Sequence, residues 1–172
     1  MNKGISLKVK GVKLSTSGII LGKYNLYDYQ AEILKSNEKV LIVSAPTGGG
    51  KTLALLLGAL KGMNIVHQSG KNGIIIYPTK SLIEEQAIQI YNLIAGLKFE
   101  GQQLRPILIS PKIVQEGSMK GDLAIMPVDA DILEEISQGK PHGVAFMELL
   151  DSCYCPILIL TNIDVFYTLV KK

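Results

Sequence analysis

The stretch that most constrains the fold is Lys39–Leu60, "KVLIVSAPTGGGKTLALLLGAL", in which a branched apolar run meets three consecutive glycines. "KVLIVS" has the continuous apolar composition of a strand that is buried on both faces, as parallel strands are. Gly48–Gly50 permit a tight loop, and Lys51–Leu60 has helical composition. The stretch therefore predicts a strand, a loop and a helix in direct succession.

The rest of the chain repeats this alternation of buried strand and helix. Further apolar runs occur at Ile74–Tyr77, in "RPILIS" and at Ile157–Leu160. The helical segments, the third of which has a capping-box pattern of Ser81 with Glu84, are predicted at Leu26–Leu34, Lys51–Leu60, Ser81–Leu97, Asp131–Ser137, Val144–Leu150 and from Asp164 onward. We expect an α/β fold of the RecA-like, P-loop type, with a mostly parallel sheet flanked by helices.

An N-terminal β segment over residues 1–23 is predicted to precede this domain, which takes residues 24–172. The segment contains the alternating run Ile5–Val9 and a second strand near Ile19–Leu21. A length of 172 residues suits one domain, and the net charge of +3 permits a nucleic-acid partner without requiring one. With no signal peptide and no apolar run of membrane-spanning length, we expect a cytoplasmic protein.

The glycine loop has the chemistry of a phosphate-binding site. Its eight residues differ from the strict phosphate-loop pattern only at the first position, and they are Ala45, Pro46, Thr47, Gly48, Gly49, Gly50, Lys51 and Thr52. Glycines let backbone N–H groups approach an anion, and the following helix offers its positive N-terminus. Lys51 would reach the β- and γ-phosphates and Thr52 would bind Mg²⁺. The loop predicts a nucleoside triphosphate with magnesium.

Segments around the loop resemble the first RecA-like domain of superfamily 2 helicases, the DEAD/DEAH-like family. Gln30 lies about twenty residues before Lys51, and "YPTKSLIEEQ" follows the next strand. The resemblance implies that Gln30 reads the adenine and that the loop binds ATP. It also implies that Pro78, Thr79 and Lys80 contact a nucleic-acid backbone, and that a second RecA-like domain is a partner.

The segment "ILTNIDVFY" resembles the Leu-Thr-Asn-Pro-Asp segment of certain superfamily 2 DNA helicases, including CRISPR-associated helicase–nucleases. Ile163 stands in place of the usual proline. The resemblance implies nucleic-acid contacts by Thr161, Asn162 and Asp164, with single-stranded DNA as the partner and a CRISPR effector complex as a further one. A helix cap is the alternative interpretation of Thr161 and Asn162.

The Asp-Glu pair that the family uses to hold magnesium and polarise water does not occur in the sequence, and Arg105 is the only arginine. "LAIMPVDAD", Leu123–Asp131, offers Asp129 and Asp131 as substitutes. Pro127 is a poor fit to a central strand, which favours a loop and helix cap here. We expect the front part of a larger helicase, with very weak hydrolysis on its own.

Two other classes of function stay open at this point. A self-contained kinase or GTPase would need a lid or a base-specificity motif, and neither an Asn-Lys-x-Asp pattern nor an arginine-rich lid is present. A non-catalytic nucleotide- or nucleic-acid-binding module requires only the loop and the basic contacts.

Overall fold

The computed structural model describes residues 14–65, 71–110, 114 and 121–171, and within them a parallel sheet lies between two layers of helices. The elements in chain order are β1 Thr16–Leu21, β2 Tyr24–Tyr27, α1 Asp28–Lys35, α2 Lys51–Met63, β3 Gly73–Tyr77, α3 Lys80–Ala95, β4 Lys98–Phe99, β5 Gln102–Gln103, β6 Pro106–Leu108, β7 Leu123–Val128, α4 Ala130–Ser137, α5 His142–Asp151, β8 Ile157–Asn162 and α6 Ile163–Val170.

The central sheet has four strands in the order β3-β8-β7-β6, and every neighbouring pair is parallel. Successive side chains of β8 enter different cores, which explains its unbroken apolar run. Leu158 and Leu160 pack in the core formed with α2 and α3. Ile157 and Ile159 pack in the core formed with α4, α5 and α6. The α/β class with a parallel sheet flanked by helices is confirmed.

The prediction of a buried strand at "KVLIVS" is wrong. Residues 39–46 form no strand, and the side chain of Ile42 is 94% exposed. Leu41 and Val43, together with Leu55 and Ile74, line an open groove of about 510 Å³. The composition indicated burial, but a strand also needs a neighbour to satisfy its backbone groups, and among the described residues none is paired with this segment.

The strand β3 lies at one edge of the described sheet, because it pairs only with β8. Ile75 and Tyr77 are buried against the helices, whereas Ile74 and Ile76 on the other face are exposed. The prediction of this strand is confirmed, but the prediction of full burial is wrong. Layers of helix cover both faces only over the middle of the sheet.

The expectation that Pro127 is a poor fit to a central strand is also wrong, since β7 is a central strand paired on both sides. Pro127 fits because of its position along the strand. The carbonyl of Ile125 accepts a hydrogen bond from the N–H of Ile109. The backbone groups of Ile125 and of every second residue from it, including Pro127, are therefore directed at β6. Strand β6 ends at Leu108, before Pro127 is reached, and the absent N–H costs no ladder bond.

The helix predictions are confirmed, with boundaries that move by at most three residues. The capping box proposed for α3 is wrong, because α3 begins at Lys80 with Thr79 as its cap residue. The second predicted N-terminal strand is confirmed as β1, which pairs with β2 in a hairpin. The turn of this hairpin contains residue 23, where the predicted boundary lies. Ile5–Val9 lies outside the described residues, and the division into 1–23 and 24–172 stays a prediction.

Residues 39–46 and strand β8 allow a matched test, in which one isoleucine of each is replaced by alanine. Ile42→Ala is expected to change the free energy of unfolding by no more than about 0.5 kcal/mol, because its side chain is already in solvent. Ile159→Ala, buried in β8, is expected to cost about 2–5 kcal/mol. Urea unfolding followed by circular dichroism measures both, and similar losses at the two positions would contradict this fold.

Candidate functional site

The glycine loop joins residues 39–44 to the N-terminus of α2. Gly48 and Gly50 both adopt positive φ, at 74° and 80°, a conformation that side chains with a Cβ disfavour. The N–H of Gly49 donates to the carbonyl of Pro46 over 3.0 Å, which closes a tight turn. Gly50 is the cap residue of α2 and contributes no side-chain cap. The first N–H groups of α2 are therefore left without a side-chain partner, as anion binding at a helix N-terminus requires.

Gln30 ties helix α1 to this loop. Its side-chain NH₂ donates to the carbonyl of Gly50 over 2.9 Å, and its side-chain oxygen accepts from the N–H of Tyr27 over 2.9 Å. The Tyr29 hydroxyl donates to the carbonyl of Gly49. Gln30 is only 2% exposed, so its amide is paired inside the protein. A Cβ on Gly50 would lie 2.6 Å from the amide nitrogen of Gln30, which explains why a glycine is needed there.

The ammonium group of Lys51 lies over the loop. It donates to the carbonyls of Ala45 and Pro46, over 2.9 and 2.8 Å. Thr52 follows in the first turn of α2 and is half-buried. Because it bridges these two carbonyls, Lys51 places a positive charge next to the backbone N–H donors of the loop. A polyphosphate would exchange those carbonyls for phosphate oxygens.

A second group of predicted residues lies where the parallel strands end. Tyr77 is in register with Asn162, and Val128 with Thr161, so the loops after β3, β7 and β8 are adjacent. Pro78, Thr79 and Lys80 are exposed there. Carboxyl ends of strands are where open α/β sheets bind ligands. The structure thus brings together the two segments that the sequence placed about eighty residues apart.

The residues after β8 divide into structural and exposed ones. Thr161, predicted to contact nucleic acid, is fully buried, and its hydroxyl donates to the carbonyl of Val128 over 2.8 Å. Asn162 caps α6 by accepting from the N–H of Val165 over 2.9 Å. The cap alternative is correct for Asn162, and Thr161 is a strand-to-strand link away from the surface. Asp164 is exposed in the first turn of α6.

Lys80 forms ion pairs with two carboxylates, those of Asp129 between β7 and α4 and of Asp131 in the first turn of α4. Its ammonium lies 2.7 Å from an oxygen of Asp129 and 2.5 Å from an oxygen of Asp131. Hydrogen bonds to Asp129 and then to Asp131 raise the pKa of Lys80 above its ordinary value. Partial burial acts to raise the pKa of Asp129, but the bonds from Lys80 and from the Ile132 N–H outweigh it and lower this pKa. Lys80 and Asp129 are therefore both charged at neutral pH.

Asp129 also caps α4, because its other oxygen accepts from the N–H of Ile132 over 2.8 Å. The interpretation as a loop and helix cap is confirmed for Asp129, which lies between β7 and α4, whereas Asp131 lies within α4. Both acids are directed at a lysine. Among the described residues, no group of three or more His, Cys, Asp or Glu is arranged to hold a metal ion.

A cavity of about 560 Å³ lies at the opposite, amino end of the sheet, next to the residues that precede the strands. Cys153 and Cys155 line it, together with Asn72 and Asp122. Burial raises the pKa of the Cys153 thiol to about 11 and also raises that of Cys155, so both are protonated at neutral pH. Protonated thiols are weak nucleophiles, and this cavity contributes nothing to the loop chemistry.

The family model that describes the DEAD/DEAH box helicase domain matches residues 27–115, just over half of the sequence. The chain belongs to the DEAD/DEAH box helicase family. The matched region begins beside Gln30, contains the glycine loop and Lys80, and ends before β7. No curated protein and no solved structure gives a match. Membership in this family implies an ATP-dependent helicase that binds nucleic acid.

In the described parts of this helicase domain, none of the helices is long and apolar enough to cross a membrane.

Sequence reasoning had missed two contacts of the candidate site. One is the bond from Tyr29 to the loop, which no pattern marks. The other is the pairing of Asp129 and Asp131 with Lys80, which a strand assignment for "LAIMPV" would have placed at the same sheet edge.

The buried hydroxyl of Thr161 gives a test of its role. Thr161→Val leaves the carbonyl of Val128 without this donor and is expected to cost about 1–3 kcal/mol in the free energy of unfolding. Thr168→Val, at an exposed position of α6, is the matched control, for which a change within about 0.5 kcal/mol is expected. Thermal or urea unfolding measures both, and equal effects would argue against a structural role for Thr161.

Proposed function

We propose that this chain is the ATP- and nucleic-acid-binding front part of a superfamily 2 helicase, with single-stranded DNA as its nucleic-acid partner. The observation that carries the proposal is the bond from Gln30 to Gly50, which joins the predicted adenine-reading residue to the predicted phosphate loop. Family membership and the position of Lys80 at the carboxyl edge support the second half of the proposal.

The residues around the loop fit a magnesium nucleotide. Backbone N–H groups of Gly48, Gly49 and Gly50 and the N-terminus of α2 would surround the phosphates, with Ala45, Pro46 and Thr47 completing the loop. Lys51 would pair with the β- and γ-phosphates, and Thr52 would place its hydroxyl on magnesium. When bound, the magnesium ion neutralises phosphate charge. Gln30 would support the loop through its bond to Gly50, and reading the base edge would require its buried amide to turn outward.

The nucleic-acid side of the proposal rests on the exposed ends of β3 and β8. Pro78, Thr79 and Lys80 lie at the surface, and Asp164 lies exposed beside Asn162 after β8. Thr161 and Asn162 would hold the loop after β8 in place through their bonds inside the protein, and they would not contact the nucleic acid directly. A role in a CRISPR effector complex is implied only by the "ILTNIDVFY" resemblance and stays a prediction, as does partnership with a second RecA-like domain.

A non-catalytic binding module is the second candidate function, and one observation favours it for this chain. The sequence contains no Asp-Glu pair, and the two acids nearest the site are engaged with Lys80. Transfer to water requires a group that positions the attacking oxygen. We therefore expect this chain to bind ATP without appreciable turnover.

Measurements of nucleotide binding distinguish the two roles proposed for Gln30, which are to read the adenine and to support the loop. ATP and GTP affinities of the native chain, Gln30→Ala and Lys51→Ala are measured with magnesium by calorimetry. We expect tighter binding of ATP than of GTP, and a loss of at least about tenfold for both in Lys51→Ala, since one charged contact to phosphate is removed. Loss of the ATP preference in Gln30→Ala supports base reading by Gln30.

Two results would count against this assignment. Equal binding of ATP and GTP by the native chain contradicts adenine recognition, and an equal loss of both in Gln30→Ala reduces Gln30 to a loop support. Phosphate release is measured on the same samples with and without oligo(dT). Turnover above the level of Lys51→Ala would contradict the binding-module interpretation, and Asp129 and Asp131 would then be the acids to change.

A further inference from the structure

The two carboxylates that hold Lys80 differ in how firmly they are themselves held. The side chain of Asp129 is 9% exposed, and its other oxygen is committed to the α4 cap. The side chain of Asp131 is 84% exposed and lies in the first turn of α4. Exposed ion pairs are weak because water and salt screen them and because both side chains lose freedom. Asp129 is thus a fixed partner of Lys80, and Asp131 is a partner that can leave.

The helix N-termini at the carboxyl edge also differ from one another. Helices α4 and α6 have side-chain caps, from Asp129 and Asn162. Helix α3 has no side-chain cap from Thr79 and no acid in its first turn, and Lys80 is its first residue. Its free N–H groups and its lysine are directed to the same edge, where a backbone phosphate would find both.

A phosphate that approaches Lys80 meets one positive charge that two negative charges already surround. The ammonium group is half exposed and has a third N–H that can donate to the phosphate, but the two carboxylates beside it repel the phosphate. This repulsion falls if one carboxylate moves away. Asp129 cannot leave without uncapping α4 and exposing a largely buried carboxylate, whereas Asp131 only turns into solvent. The cheaper exchange replaces Asp131.

We propose that Asp131 is a releasable counter-ion that weakens nucleic-acid binding at the N-terminus of α3. A backbone phosphate of single-stranded DNA displaces Asp131 from Lys80, while Asp129 keeps the ammonium group in position. This inference rests on the proposed nucleic-acid site and adds a residue that tunes affinity without contacting the strand. Asp131 is a positioning residue, since it acts through Lys80.

Binding of fluorescein-labelled oligo(dT) by the full 172-residue chain tests the proposal, with anisotropy as the readout at about 50 mM salt. Asp131→Asn is expected to bind about two- to fivefold more tightly than the native chain, which is the range that one exposed ion pair can supply. Lys80→Ala is expected to bind more weakly. In the Lys80→Ala background, Asp131→Asn is expected to have no effect, because its target is gone.

Asp151→Asn is the matched control, since it removes the same charge at the C-terminus of α5, beside the amino-end cavity. Affinity that rises equally in Asp151→Asn, or in the Lys80→Ala background, would reduce the effect to net charge and overturn the proposal. Unchanged or weaker binding by Asp131→Asn, with Lys80→Ala still impaired, overturns the counter-ion alone. No binding by any variant, with melting curves unchanged, overturns the proposed nucleic-acid site as well.

Discussion

The parallel pairing of β7 with β8 is the interaction on which the rest of the structure depends. Both strands are covered by helices on both faces, and their ladder runs from Ala124 and Ile157 to Val128 and Thr161. Burying apolar surface on two sides of a strand contributes on the order of 25 cal/mol per Å². The buried hydroxyl of Thr161 adds a side-chain link at the last register position, where the strands give way to the functional loops.

This pairing fixes the chemistry at the carboxyl edge. Because β3 continues the ladder beside β8, the end of β3 is held next to the ends of both central strands. Lys80 and Asp131 are 51 residues apart in sequence, yet their charged atoms are in contact, as are those of Lys80 and Asp129. The nucleotide loop is held differently. It depends on polar bonds from Gln30 and Tyr29 on α1, because the segment before it has no strand partner in the described residues.

Periodicity and composition predicted the helices and three of the four strands of the described central sheet, because each of those depends on a local pattern and on burial of one or two faces. Three local patterns pointed the wrong way. "KVLIVS" has the composition of a buried strand but no paired neighbour, and "LAIMPV" forms a central strand despite Pro127. Ser81 with Glu84 looked like a capping box, although α3 begins one residue earlier. In the first two instances the outcome depends on pairing with segments elsewhere in the chain.

The sequence by itself determined the chemical inventory of this helicase domain. The spacing of Gln30 to the glycine loop, the loop's Lys-Thr ending and the Pro-Thr-Lys segment after a strand are local features that any fold must carry. The tertiary structure alone decided what those groups contact. It buried Thr161, turned Asn162 and Asp129 into helix caps, and set Lys80 between two carboxylates. Contacts between distant segments depend on strand order and register, and a single sequence does not encode these in any local pattern.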